Sequence, residues 1–393
     1  MPVERLLPTS EARELLALTR EIADAELAPH AAAAEEKAEF PREAFATLGR
    51  AGLLGLPYPG EYGGGDQPYE VYLQVLEELA RAWLTVGLGV SVHTLSCFPL
   101  ATRGTAEQRE RWLPDMLGGE LLGAYCLSEP GSGSDAAALR TAARSDGDTY
   151  VVDGVKAWIT HAGAADFYAL MARTSGDPDG PARASGITCL HVPAGTAGVA
   201  AAPPEHKMGM TASPTGQMIF SGARVPAEHR IGDEGDGFGI AMSALDSGRL
   251  GIAACSVGVA QAALDAALAY AAGRSQFGRP VASFQGMQFL LADMATAVEA
   301  ARALYLSAAR RRDAGLPFGT QAAMAKLTAS DAAMRVTTDA VQVLGGYGYV
   351  RDYPVERLMR EAKVLQIVEG TNQIQRLVIG RNVTASVKAD TGR

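Results

Sequence analysis

Cysteine, histidine, aromatic rings and excess positive charge are all scarce in this chain, and each shortage closes a route to function. The four cysteines, Cys97, Cys126, Cys189 and Cys255, are far apart, with no CxxC pair. That spacing predicts buried free thiols and excludes a zinc knuckle or a disulfide framework. The six histidines are scattered with no metal-ligand spacing, so no metal is expected. A formal net charge of −9 speaks against nucleic acid or an anionic membrane as partner, because both need a concentrated basic surface. The opening MPVERLLPTSEARELL has no apolar core of a secretory leader. No unbroken run of about 18 apolar residues is present either, so no membrane span is expected. We therefore expect a cytoplasmic protein.

What remains is ordinary globular material, 48% hydrophobic and rich in alanine, long enough for two or three domains. Residues 1–119 read as helices. Ser10 to Arg13 opens an amphipathic run, Pro41 stands at a first-turn position, and Thr105-x-x-Gln108 has capping-box spacing. Residues 120–231 change to short β-branched and aromatic segments bounded by Gly, Pro and Asp: AYCLSE, DTYVVDGVKAWIT, DFYALMART, GITCLHVP and MIFSGARVP. Residues 232–393 return to long Ala-rich helical runs, Gly237 to Gly273, Phe284 to Ala314, Thr320 to Leu344, and Pro354 toward Val383 with a break at Gly370. The fold class predicted is mainly α with a central antiparallel β-domain and a C-terminal four-helix bundle.

Most local motifs are bland. GSGSDA, Gly131 to Ala136, fits a dinucleotide fingerprint formally, but strand-like sequence follows it where a helix is required. It reads better as a Gly/Ser loop whose N–H groups and hydroxyls face a polar ligand. GDEGDGFG, Gly232 to Gly239, is a turn, and Arg310, Arg311 and Arg312 form a solvated helix end. Trp158 ends a strand beside Thr160 and His161, placed either to pack in the core or to lie against a planar ring.

IVEGTNQIQRLVI, Ile367 to Ile379, is different: it sets one carboxylate, Glu369, in an apolar run. Gly370 is suited to end the preceding helix in a left-handed conformation, with Asn372 and Gln375 at the cap and third positions of the next. Glu369 then sits at a helix junction facing an apolar cavity, where desolvation raises a carboxyl toward neutrality and makes it a usable base. A buried structural acid paired with an arginine is the competing reading.

Six separated stretches resemble the acyl-CoA dehydrogenase family in order and spacing. They are EYGGGD at 61–66, AYCLSEPGSGSD at 124–135, GVKAWIT at 154–160, RSQFGRPVASFQ at 274–285, QVLGGYGYVRDYPVERLMREAK at 342–363 and IVEGTNQIQR at 367–376. The resemblance implies FAD and an acyl-CoA substrate. It implies flavin contacts from Tyr125, Leu127, Ser128, Ser134, Trp158, Ile159 and Thr160. Arg274, Phe277, Gln285, Gln342, Gly345 and Gly346 would hold the diphosphate and adenosine across a subunit interface, with Thr371 and Gln373 as further contacts. Ser134, Asp246, Arg249 and Gly370 would lie near the substrate.

Glu369 matches the family's base; the alternative base position is Gly248 here, which cannot accept a proton. The family's chemistry would be removal of the α-proton with hydride transfer to flavin N5, giving a trans-2-enoyl-CoA in fatty acid β-oxidation. The carbonyl would be held by the base residue's own backbone N–H and a ribityl hydroxyl. An electron-transfer flavoprotein as acceptor and a homotetramer, a dimer of dimers, are also implied. The small Val368 and the segment Ser91 to Phe98 lean toward short or branched acyl groups. His161 stands where many relatives carry Asn. A flavin oxidase or monooxygenase on the same fold, and a non-catalytic flavin- or CoA-binding protein, stay open as alternatives.

Overall fold

The computed structural model describes residues 4–391. The chain opens with α1 (Ser10–Ile22), a π-turn (Ala23–Leu27), α2 (Ala28–Lys37), α3 (Arg42–Arg50), α4 (Tyr69–Ala82), α5 (Leu84–Arg103) and α6 (Ala106–Gly118). Thr9 caps α1 by accepting the Ala12 N–H, and the Thr105–Gln108 box caps α6 with both of its hydrogen bonds made, at 3.0 and 3.2 Å.

The central segment carries β1 (Gly123–Cys126), β2 (Ala142–Asp146), β3 (Thr149–Thr160), β4 (Phe167–Arg173), β5 (Ile187–Pro193), β6 (Val199–Ala201), β7 (Thr215–Pro226) and β8 (Arg230–Ile231). They form one sheet in the order β6-β7-β3-β2-β4-β5-β8, with β1 paired to β4. Most pairings are antiparallel, but β1–β4 and β2–β4 are parallel, so the sheet is mixed.

The third segment is α7 (Gly237–Gly273), a hairpin of β9 (Ser275–Gln276) and β10 (Arg279–Pro280), then α8 (Gln285–Asp313), α9 (Gly319–Leu344), α10 (Val355–Leu365) and α11 (Asn372–Thr391). Helix α7 is the axis of the molecule: α4, α5, α8, α9 and α10 all pack on it. Its small residues permit this. A Cβ on Gly258 would lie 2.4 Å from the Glu77 carbonyl oxygen, so α4 approaches at glycine distance.

Two helices, Leu84–Arg103 and Gly237–Gly273, are long and apolar enough to cross a bilayer, contrary to the expectation that none is. Both are mostly buried against neighbouring helices, because a helix that is apolar all round is equally at home in a protein core. A separate apolar cluster fills the sheet, and a third, with Cys97, Leu113, Met171 and Ile240, joins the sheet to the helices. All four cysteines are buried and free.

Candidate active site

Between α10 and α11 the backbone reverses through two left-handed residues, Glu369 at φ +53 and Gly370 at φ +89. A residue with a Cβ is disfavoured there by roughly 1–2 kcal/mol, so the turn must be held from outside. Gln375 donates to the Gly370 carbonyl (2.8 Å), Asn372 N–H to the Gln366 carbonyl (3.0 Å), and Lys326 Nζ to the Gly370 carbonyl (3.0 Å). The expected cap is corrected. Thr371 Oγ1 accepts the Ile374 N–H at 3.3 Å, while the Asn372 side chain turns into α9 to meet Ser330 and Asp331. Helix α10 also stops earlier than Gly370, at Leu365.

Both Glu369 carboxylate oxygens are buried and accept no hydrogen bond among the described residues. The carboxylate rests on α7, where a Cβ on Gly248 would lie 2.2 Å from Glu369 Oε2. Desolvation pushes the carboxyl up to about 7, against the opposing pull of Arg249 and Lys326. Among the described residues no cation lies within ion-pair distance of it, which counts against the structural-acid reading. The Glu369 backbone N–H also makes no hydrogen bond to a described residue.

Gly248, Ser247 and Ala244 wall a small cavity closed by Ser91, Thr94, Leu95 and Phe98 of α5 and by Tyr58 and Tyr69. Arg312 corrects another expectation. It turns inward from the end of α8, with its guanidinium 3.8 Å from the Tyr69 ring centroid and Nε 3.3 Å from Ser247 Oγ. Asp246 and buried Arg249 pair at 2.6 Å on the same stretch of α7. A wider cleft, between α6 and the turn after β8, holds none of these residues and mixes Arg111, Arg230, Glu228 and Asp236 at its rim.

The β-domain contributes a second set. Strand β3 carries a bulge: Lys156 pairs with Met218 and Ile159 with Gly216, so two residues face one. Trp158, in the bulge, has φ +61 and is 67% exposed, which rules out its reading as a core residue. Ala157 N–H reaches the Ser128 carbonyl (2.9 Å), tying the bulge to the segment after β1. Fully buried Lys156 fixes that segment from below, donating to the Leu127 carbonyl (2.9 Å) and to Glu129 (2.8 Å). Breaking such a buried pair costs about 3–5 kcal/mol. Tyr125 keeps a buried hydroxyl without a partner, and burial, with smaller contributions from Cys189 and Glu369, raises its pKa well above the ordinary value. Ser134 is exposed on its loop, and Thr160 is half-buried. Ile159 differs from the rest: its side chain lies in the sheet core, so only its backbone can face a ligand.

The place of His161 has a physical cause. It sits at φ +65, a region in which Asn and His are both enriched, and its Nδ1 donates to the Gly123 carbonyl (3.0 Å). His93 Nδ1 accepts the Gly123 N–H (3.0 Å), so two buried imidazoles hold the first residue of β1.

Arg274, Phe277, Gln285, Gln342, Gly345 and Gly346 gather elsewhere, at the hairpin end of the bundle. Arg274 lies 5.9 Å from the Tyr347 ring, and Phe277 meets Phe284 at 6.2 Å. Phe277 and Gly278 form the hairpin tip with φ +53 and +79. Phe277 is 94% exposed, an unusual occupant of a position that favours Asn or Asp. Arg274 is roughly 26 residues beyond Gly248 on α7, about 39 Å along the helix axis. Thr371 and Gln373 stay beside Glu369 in the chain.

Three family models cover the chain: the N-terminal domain of acyl-CoA dehydrogenase matches residues 9–120, the middle domain 124–223 and the C-terminal domain 235–384. The chain belongs to the acyl-CoA dehydrogenase family. An acyl-CoA dehydrogenase of Bacillus subtilis is 45% identical over 95% of this chain and 98% of its own. The butyryl-CoA dehydrogenase structure from Megasphaera elsdenii superposes with a TM-score of 0.93 at 40% identity, covering 97% of this chain and 100% of that one. A chain in a structure described as the electron-transferring flavoprotein of Acidaminococcus fermentans gives the same score and identity over 97% and 99%.

Acyl-CoA dehydrogenases are FAD-dependent oxidoreductases, and the residues here fit that cofactor. A solvent-facing indole on a strained bulge, an orphaned buried tyrosine hydroxyl and a fully exposed phenylalanine at a hairpin tip are costly features for an apoprotein and natural ones for a flavin cradle. Lys326 and Lys156 escaped the sequence reading. Each is a lone lysine in an apolar stretch, and that interruption was the available signal.

Proposed function

We propose that the protein removes the α-proton of a short-chain acyl-CoA thioester with Glu369, leading to a trans-2-enoyl-CoA. The observation that carries this is the buried, unpaired Glu369 carboxylate resting on Gly248, a residue that also lines the cavity. A carboxyl held at about 7 is half ionised at neutral pH and strong enough, when ionised, to take a proton made acidic by a thioester carbonyl. The free Glu369 N–H is the oxyanion donor this chain supplies to that carbonyl, a contribution of about 3 kcal/mol. The cavity between α5 and α7 would receive the acyl chain, and its Tyr58, Tyr69 and Phe98 walls support a short one, as does the likeness to a butyryl-CoA dehydrogenase. Asp246 and Arg249 flank the substrate. Tyr125, Leu127, Ser128, Ser134, Trp158 and Thr160 would hold the flavin ring, and the bundle-end set the rest of FAD. When bound, FAD supplies the acceptor for the β-hydride.

The separation of about 39 Å between Gly248 and Arg274 exceeds what one extended FAD spans. The ring-holding set and the bundle-end set of one chain would therefore serve different FAD molecules, each site completed by a second copy, which supports a dimer-based tetramer. The likeness to a chain from an electron-transferring flavoprotein structure supports such a flavoprotein as electron acceptor. Four buried free thiols suit a reducing, cytoplasmic setting.

The test is Glu369→Gln, which keeps shape and removes the base. FAD content should stay at the parental level while anaerobic flavin bleaching by butyryl-CoA is lost. Bleaching at an undiminished rate refutes the assignment.

A further inference from the structure

One buried lysine, Lys326, has no task in the family chemistry given above. Lys326 lies on α9 in a face otherwise built of Ala322, Ala325, Ala329, Ser330 and Ala333, and its side chain is fully buried. An ammonium in such a place is costly without a carboxylate beside it. Among the described residues no carboxylate lies within ion-pair distance of Lys326. Its two partners are neutral oxygens of one loop, the Gly370 carbonyl at 3.0 Å and Asn372 Oδ1 at 2.8 Å. Both belong to the turn that carries Glu369. Asp331, the nearest acid on α9, is engaged by Asn372, Gln366 and Arg376 at 2.7, 2.7 and 2.9 Å.

From this geometry we infer that Lys326 is a positioning residue for the base: it clamps the left-handed Glu369–Gly370 turn and sets the field in which Glu369 ionises. The inference rests on Glu369 being the base. The surroundings of Glu369 make the lysine matter. Tyr69 and Tyr72 face it from α4, Tyr125 from β1, Cys255 and Arg249 from α7, and Lys326 from α9. Burial keeps the three tyrosines and the thiol neutral well above physiological pH. Two cations are left, and Arg249 is already matched by Asp246 at 2.6 Å. Lys326 is thus the cation least compensated by a nearby acid. The coupling is reciprocal, since whatever Lys326 does to the proton affinity of Glu369, Glu369 does in equal measure to Lys326. Accordingly the lysine, drawn down to about 8 by burial, is held from falling further chiefly by the Glu369 charge.

The experiment measures α-proton exchange into D2O from an acyl-CoA analogue with no transferable β-hydrogen, on FAD-loaded enzyme across pH 5–9. This readout reports the base and not the redox step. Lys326→Met should raise the midpoint of the acid limb by about one unit and slow exchange at its plateau at least tenfold. Lys326→Arg keeps the charge and should hold the midpoint within about 0.3 unit while the plateau falls. If Met does not yield folded protein, Lys326→Gln, which retains a donor without the charge, should show the same upward midpoint. An unshifted midpoint in both neutral variants overturns the inference and leaves Lys326 a packing residue. The base assignment fails separately: Glu369→Gln exchanging at the parental rate would remove Glu369 itself, whatever the lysine variants show.

Discussion

Gly248→Ala isolates the geometry of the base from the stability of the fold. The added Cβ would lie 2.2 Å from Glu369 Oε2, 3.0 Å from its Cδ and 3.2 Å from Oε1, and these are its three nearest neighbours. Ordinary contact needs about 3.5 Å, so the oxygen must retreat by about 1 Å. Only the tip of a side chain has to move, and alanine is favoured over glycine inside a helix by about 1 kcal/mol. The protein should therefore melt at or slightly above the parental temperature and retain its flavin. Displacing a reacting group by about 1 Å costs on the order of 10²-fold in rate, about 2.7 kcal/mol in the barrier. Anaerobic stopped-flow bleaching by butyryl-CoA, with a thermal melt on the same sample, measures both. A first-order rate within threefold of the parent, at unchanged stability, would refute the claim that the carboxylate works from its seat on Gly248.

Two further outcomes follow from other parts of the molecule. Trp158→Ala removes an indole that is already exposed, so the unfolding free energy of the FAD-free protein should change by less than about 0.5 kcal/mol. FAD affinity, titrated by flavin fluorescence, should fall at least tenfold, and an unchanged affinity would separate Trp158 from the flavin. Glu361 on α10 is buried and pushed up to about 7 by desolvation, against the pull of Arg357 at 3.0 Å. A carboxyl raised in the folded state gives stability that is full below about 4.5 and lost as pH rises through about 7. Glu361→Gln stays neutral, so its melting temperature relative to the parent should be higher at pH 8 than at pH 5. Equal differences at both pH values would show that Glu361 does not titrate in this range.

The helical, β, helical order was legible because periodicity and punctuation change together near residues 120 and 236. Helix α7 ends where the expected run does, at Gly237 and Gly273, since Gly-Asp-Gly and Arg-Ser mark both ends. The short strands β2, β6 and β8 were missed because ARSD-like and VAA-like pieces carry no alternation of their own; their pairing is supplied by β3, β7 and β5. The π-turn at Ala23–Leu27 changes a hydrogen-bond register without changing composition. At the site, the polarity of Glu369 in an apolar run was visible, but its positive φ was not, because the conformation is held by hydrogen bonds to Gln366 and Gln375 on either side of the turn and to Lys326 on a distant helix. Asn372 and Thr371 both suit a cap by type, and only the position of Ser330 and Asp331 on α9 decides between them.

An acid poised near neutrality, with nothing to accept from, makes substrate capture a protonic event as well as an apolar one. If Glu369 is the base proposed above, an acyl tail covering it would deepen its desolvation and favour the uncharged form still more, so association at pH 7 would draw protons out of the buffer. The heat of binding then varies with the ionisation enthalpy of whatever buffer surrounds the enzyme, and the slope of that dependence counts the protons taken up.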